Sequence, residues 1–121
     1  MSTVYRAEAD LEIYQGADFE FFIYVLDDNE AAVDLTGYTA MMEIRPEPGG
    51  EVLSTASTTN GKIVIDGPTG EVGITLGYAD TSLLPAGTWK YDVFIQSPGA
   101  ATRRCIATGD VLVAPKITEM T

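Results

Sequence analysis

The chain has 121 residues, enough for one substantial core but not two, and its apolar fraction of 45% is that of a folded protein. Seven Lys and Arg stand against 18 Asp and Glu, a net charge of −11 that repels nucleic acid and anionic lipid. Histidine is absent, which removes the commonest general base and metal ligand and every Ser-His or Cys-His arrangement.

The charge is uneven. Residues 1–60 hold 12 acids and 2 bases, a balance of −10, whereas residues 61–121 hold 6 and 5, a balance of −1. Acidic turns on a solvated face account for this, or an acidic surface meets a basic neighbour or a cation. Cys105 is the single cysteine, so no intrachain disulfide forms; its place in an alternating run predicts a buried, inert thiol. The opening Met-Ser-Thr-Val-Tyr-Arg is unlike a signal peptide, and no apolar run approaches the roughly 18 residues that span a bilayer. The expectation is a soluble chain made in the cytoplasm, with no membrane and no nucleic acid as partner.

Residues 1–9 show no period and read as an arm, frayed or laid on a neighbouring subunit. Leu11 and Ile13 around Glu12 predict a short edge strand, and Gln15-Gly16-Ala17 a turn. Residues 18–26 form a long strand with Phe19, Phe21, Ile23 and Val25 on one face. Its other face, Glu20, Phe22, Tyr24 and Leu26, is also largely apolar, so the strand is central or half covered by a partner. Asp27-Asp28-Asn29-Glu30 is rich in acceptors but lacks the alternation and distant Glu of a calcium loop; it reads as a plain turn leading into 31–35.

In 38–45, Tyr38, Ala40, Met42 and Ile44 alternate with Thr39, Met41, Glu43 and Arg45, and Pro46-Glu47-Pro48-Gly49-Gly50 ends the strand. A weaker strand follows over 51–57, then 62–66 with Ile63 and Ile65 inward. Asp66-Gly67-Pro68-Thr69-Gly70 turns the chain into 71–76, where Val72, Ile74 and Leu76 alternate with Gly73 and Thr75. Residues 79–84 suit one helical turn capped by Asp80 or Thr81.

The strand over 88–97 organises the rest: Trp89, Tyr91, Val93 and Ile95 recur every second residue behind the Leu84-Pro85-Ala86-Gly87 turn. Trp89 is placed in the core, where truncation to Ala costs about 3–5 kcal/mol. After Ser97-Pro98-Gly99-Ala100, residues 102–114 return with Arg103, Cys105, Ala107, Gly109, Val111 and Val113 in step, and Thr108-Gly109-Asp110 marks a bulge or bend part-way. Pro115 leaves a tail. Eight or nine short strands punctuated every 8–12 residues predict an all-β, immunoglobulin-like antiparallel β-sandwich with extended terminal arms. The expected organisation is an arm (1–9), one sandwich domain (10–114) and a tail (115–121). Its expected core is Phe21, Ile23, Met42, Ile44, Trp89, Tyr91, Val93 and Ile95.

Three segments, in this order and spacing, carry a family likeness: Ile13-Tyr14-Gln15-Gly16-Ala17-Asp18-Phe19; Asp34-Leu35-Thr36-Gly37-Tyr38-Thr39-Ala40 through Ile44-Arg45; and Leu84-Pro85-Ala86-Gly87 before Trp89-Lys90-Tyr91-Asp92-Val93. The set resembles small β-sandwich proteins encoded in tailed-phage structural modules. It is similar, over roughly residues 11–114, to the immunoglobulin-like N-terminal module of phage baseplate upper proteins. The resemblance implies a virion component of tail, baseplate or neck that docks one subunit onto another. The long helical and receptor-binding extensions of baseplate upper proteins are missing, which favours an adaptor or decoration protein over direct host binding. The family has no catalytic motif to carry over.

The leading functional expectation is therefore a non-enzymatic structural protein whose partners are other virion proteins in a symmetric assembly, with no cofactor and no metal. Candidate contacts are the segments 1–10 and 115–121, with Val4, Tyr5 and Ile117, and an apolar patch of Phe22, Tyr24 and Leu26. The patch is free for a partner, or lies beneath a loop or edge strand of the same chain. A second reading is a carbohydrate-binding module using the rings of Tyr14, Tyr24, Tyr78 and Trp89, although Trp89 and Tyr91 fit the core period. A third is a glycoside-cleaving enzyme with paired carboxylates. No nucleophile, metal cluster or cofactor loop supports it.

Overall fold

Period-two alternation puts neighbouring side chains on opposite faces of an extended chain, and a chain that alternates this often must close its apolar faces on one another. The computed structural model, which describes residues 7–120, does so with nine strands in two sheets. In chain order these are β1 (Ala7–Glu8), β2 (Leu11–Tyr14), β3 (Phe19–Tyr24), β4 (Thr39–Arg45), β5 (Ser54–Ser57), β6 (Ile63–Asp66), β7 (Glu71–Leu76), β8 (Gly87–Gln96) and β9 (Arg103–Ala114). A one-turn helix, α1 (Tyr78–Ser82), separates β7 from β8, and a 3₁₀ turn (Pro98–Ala100) joins β8 to β9.

The larger sheet runs β5-β4-β8-β9, with β1 and β2 following one another along the far side of β9; the smaller is β3-β7-β6. β8 is central, as its alternation predicts, paired with β4 from Thr39↔Gln96 to Arg45↔Lys90 and with β9 on its other side. The antiparallel sandwich carries one parallel edge: β1 and β2 pair parallel to β9, Ala7 opposite Ala107 and Ile13 opposite Val113. Parallel pairing becomes possible because β9 is reached only after the whole intervening chain, so no hairpin constrains it. Part of the segment expected as an arm is described. Ala7–Glu8 lies on this chain's own β9, and the Ala9 N–H donates to the Thr108 carbonyl at 3.1 Å.

The interior between the sheets is aliphatic. Ile13, Leu35, Met42, Ile44, Ile63, Ile74, Leu76, Leu84, Ile95 and Ile106 are its largest fully buried side chains, each contributing about 1.5–3 kcal/mol relative to exposure. Ile23, Tyr91 and Val93 are buried with them, while Phe21 is half-buried against the cluster. The Phe21 and Tyr91 rings meet edge-to-face across the two sheets, 6.2 Å between centroids. Trp89 corrects the expectation of a central indole. Its side chain shares the inward face of β8 but packs only partly buried at the rim, against Gly87, and its Nε1–H donates to the Pro85 carbonyl at 2.8 Å.

The bulge in β9 falls just before the Thr108-Gly109-Asp110 stretch where a bulge or bend was expected. Val93 pairs with Ala107 and Phe94 with Cys105, so Ile106 is the extra residue. Ile106 and Ala107 are consequently both fully buried, and Cys105 is turned to the outer side opposite Phe94, where it is half-buried and not enclosed. Thr108-Gly109-Asp110 continues in regular register. The helical turn is also capped differently. Its N-cap is Gly77 with no side-chain bond of its own, and the Tyr78 N–H is taken by Asp18 Oδ1 at 2.8 Å, 60 residues away in sequence.

Candidate docking surfaces

A strand flanked on one side only by its sheet and on one face only by the core leaves its other face bare, and β3 is such a strand. Phe22 and Tyr24 point away from the core, 47% and 53% exposed. Across the sheet, Phe22 stands opposite Gly73 of β7, and Gly73 opposite Val64 of β6, which is 68% exposed. Gly73 supplies no side chain, and the Phe22 ring fills the space above it: a Cβ there would stand 3.1 Å from the ring. The ring thereby covers the middle strand, and Tyr24, Phe22 and Val64 make an apolar strip over all three strands. Leu26, expected in the same patch, is half-buried and its backbone bridges Ala32, so it closes the strip at one end and does not extend it.

The rim of this face is mainly acidic, with Lys62 just ahead of β6 as its one base. Glu20, Asp66 and Glu71 point outward beside the strip, Glu71 directly opposite both Tyr24 and Asp66. The Glu71 carboxylate holds the Tyr24 phenol above its usual pKa, keeping it a proton donor. Lys62, the one base in this part of the chain, is bonded to Asp80 at 2.9 Å. The segments that build the sheet and its connections, 18–35 and 60–82, hold nine acids (Asp18, Glu20, Asp27, Asp28, Glu30, Asp34, Asp66, Glu71, Asp80) against Lys62. That is −8 of the net −11.

A second surface lies where the chain ends. The turn after β2 and the tail enclose an open groove of about 800 Å³ lined by Tyr14, Tyr78, Ile117 and Met120 among others. The tail is held there by the Lys116 N–H donating to Gln15 Oε1 at 3.2 Å, while Gln15 Nε2 donates to the Leu84 carbonyl at 2.7 Å. Ile117 is almost wholly exposed, as is Met120 beside it. The outer face of the larger sheet differs again. Met41 and Phe94 are an exposed cross-strand pair, but the charges around them alternate and pair, Arg45 with Glu43 and Lys90 with Asp110.

Val4 and Tyr5 lie outside the described residues. The four rings named for a sugar platform are not brought together. Tyr14 and Tyr78 share the groove, Tyr24 is at the far end of β3 from Asp18 and Tyr78, and Trp89 faces inward. Among the described residues no group of three or more His, Cys, Asp or Glu is placed to hold a metal ion. In the acidic turn, Asp27 Oδ1 accepts the N–H groups of Asn29 (2.8 Å) and Ala31 (3.0 Å), the self-bonding of an ordinary Asx turn. No helix among the described residues is long and apolar enough to cross a membrane. Val64 was missed as a surface residue, although the alternation that sends Ile63 and Ile65 inward sends Val64 outward. The groove carried no sequence signal, because three remote segments meet to form it.

No family model and no curated protein matches the sequence. The fold does match solved structures, among them the N-terminal domain of ORF48 of phage TP901-1. The TM-score is 0.57 over 88% of this chain and 85% of that domain, at 11% identity. The fold is thus that of a phage protein's N-terminal domain.

Proposed function

We propose that this chain is a non-enzymatic structural protein of a tailed-phage virion, synthesised in the host cytoplasm, where it acts as a tail, baseplate or neck adaptor docking neighbouring subunits. The observation that carries the reading is the fold likeness to a phage protein's domain across nearly the whole chain. The bare Phe22–Tyr24–Val64 face supports docking as its mode of action, since contiguous apolar strips on a folded surface mark contact sites. The tail residue Ile117 offers a second contact. A net charge of −11 supports partners that are proteins and not nucleic acid or anionic lipid.

The test is to purify particles of the encoding phage, identify their proteins by mass spectrometry, and label them with gold-conjugated antibody against this chain. The reading predicts the chain in the particle at fixed copy number, with gold on the tail, baseplate or neck. Gold over the head would favour a capsid decoration protein instead, and absence from particles would remove the virion reading.

A further inference from the structure

Resting on that reading, we infer that the Phe22–Tyr24–Val64 face takes a different protein with an apolar surface rimmed by lysine or arginine, and not a second copy of this chain. Charge complementarity identifies the occupant. Glu20, Asp66 and Glu71 border the strip, and the Asp27-Asp28-Asn29-Glu30 turn follows the Tyr24 end of β3, so any partner seated on the rings meets carboxylates around them. Lys62 does not offset them, because its ammonium is bonded to Asp80. A two-fold contact between two copies would bring together two faces that each carry Glu20, Asp66 and Glu71 against Lys62 alone, so acids outnumber bases across the seam and the net repulsion disfavours the pair. A head-to-tail contact fares little better. Of the described bases elsewhere, Arg45, Lys90 and Lys116 already bond Glu43, Asp110 and Glu119 of their own chain and Arg103 bonds the Gln96 side chain, so a second copy offers only the adjacent Arg103 and Arg104 to a rim of three carboxylates. A cationic surface presented by another protein satisfies the rim and covers the rings together. The rings then supply the anchoring contacts and the carboxylates the orientation and encounter rate.

The experiment uses the isotopically labelled full chain and two amphipathic helical peptides with the same apolar face, one flanked by lysines and one by glutamates. Amide resonances are followed during titration, and self-association is followed by sedimentation velocity at low and high salt. The lysine-flanked peptide is expected to shift amides of β3, β6 and β7, more weakly as salt rises, while the glutamate-flanked peptide shifts none. Affinity is expected to fall about tenfold or more in Phe22→Thr/Val64→Thr and in Asp66→Lys/Glu71→Lys, and to stay unchanged in Met41→Thr/Phe94→Thr on the opposite sheet. Should Phe22→Thr fail to fold without its cover over Gly73, Val64→Thr alone carries the same prediction. The inference is overturned if neither peptide binds, if both bind alike, or if lysine-peptide binding survives Val64→Thr. A self-associated chain that Val64→Thr returns to monomer also overturns it. Failure here with the chain still found in particles removes the partner chemistry alone. Absence from particles removes the virion reading whatever the peptides do.

Discussion

Tyr91 joins three parts of the molecule. Its ring meets Phe21 of the other sheet, and its hydroxyl donates to the Ala9 carbonyl at 2.6 Å, fixing the step between β1 and β2. Burial, with the Asp10 carboxylate adding to it, pushes its pKa up to about 12 from 10.0. The folded chain therefore holds this proton more tightly than the unfolded one, a contribution fully present below pH 10 and lost as pH rises from 10 towards 12. Tyr91→Phe should lower stability by about 1 kcal/mol at pH 8, through the lost bond to Ala9, and should shrink the fall between pH 10 and 12. Urea unfolding at several pH values measures both. The rim position of Trp89 reverses the ranking that its size suggests. Trp89→Ala should cost about 2 kcal/mol, below the 3–5 of a central indole, while Ile74→Ala, wholly enclosed, should cost about 3–4. Denaturation midpoints of the two variants decide the order.

At the scale of elements, what was legible depended on whether one local rule ran uninterrupted. In β4 and β8 every inward residue falls on the same parity, so Met42, Ile44, Tyr91, Val93 and Ile95 could be read directly. β9 breaks its own parity at Ile106, and two consecutive buried residues look like ordinary apolar neighbours until the register with β8 is known. The glycine in Thr108-Gly109-Asp110 suggested a bulge or bend there, but its purpose is a close approach. A Cβ on Gly109 would collide with the Ala9 carbonyl, where the chain steps from β1 to β2. Gly109→Ala should lift this parallel edge from β9 and destabilise the fold by about 2 kcal/mol. Hydrogen exchange should show lost protection at the Ala9 and Asp110 amides, which bond Thr108 O and Asp10 Oδ1. The parallel edge itself had no signature, since Leu11-Glu12-Ile13 alternates alike in either direction. The surface strip was half legible: β3 showed apolar residues on both faces, but only the sheet order β3-β7-β6 reveals that no segment of the described chain covers the outer one.

Across the whole molecule, folding redistributes the charge that the sequence displays. The division between −10 in the first sixty residues and −1 in the rest becomes a division between sheets, because β6, β7 and α1 join β3 on one side. The two outer faces consequently differ in kind, one mixed in sign and internally paired, the other acidic around an apolar strip. Association through the acidic face should slow as ionic strength rises, whereas binding at the Tyr14–Tyr78 groove should respond less; stopped-flow rates at two salt concentrations would separate them. The most direct test of the docking surface is a photo-cross-linking amino acid at Val64 in assembled particles, with Thr69 as the control position and mass spectrometry of the linked peptides. The account predicts a strong adduct from position 64 to a lysine- or arginine-rich segment of a different virion protein. Adducts no stronger than from position 69, or adducts to a second copy of this chain, would contradict it.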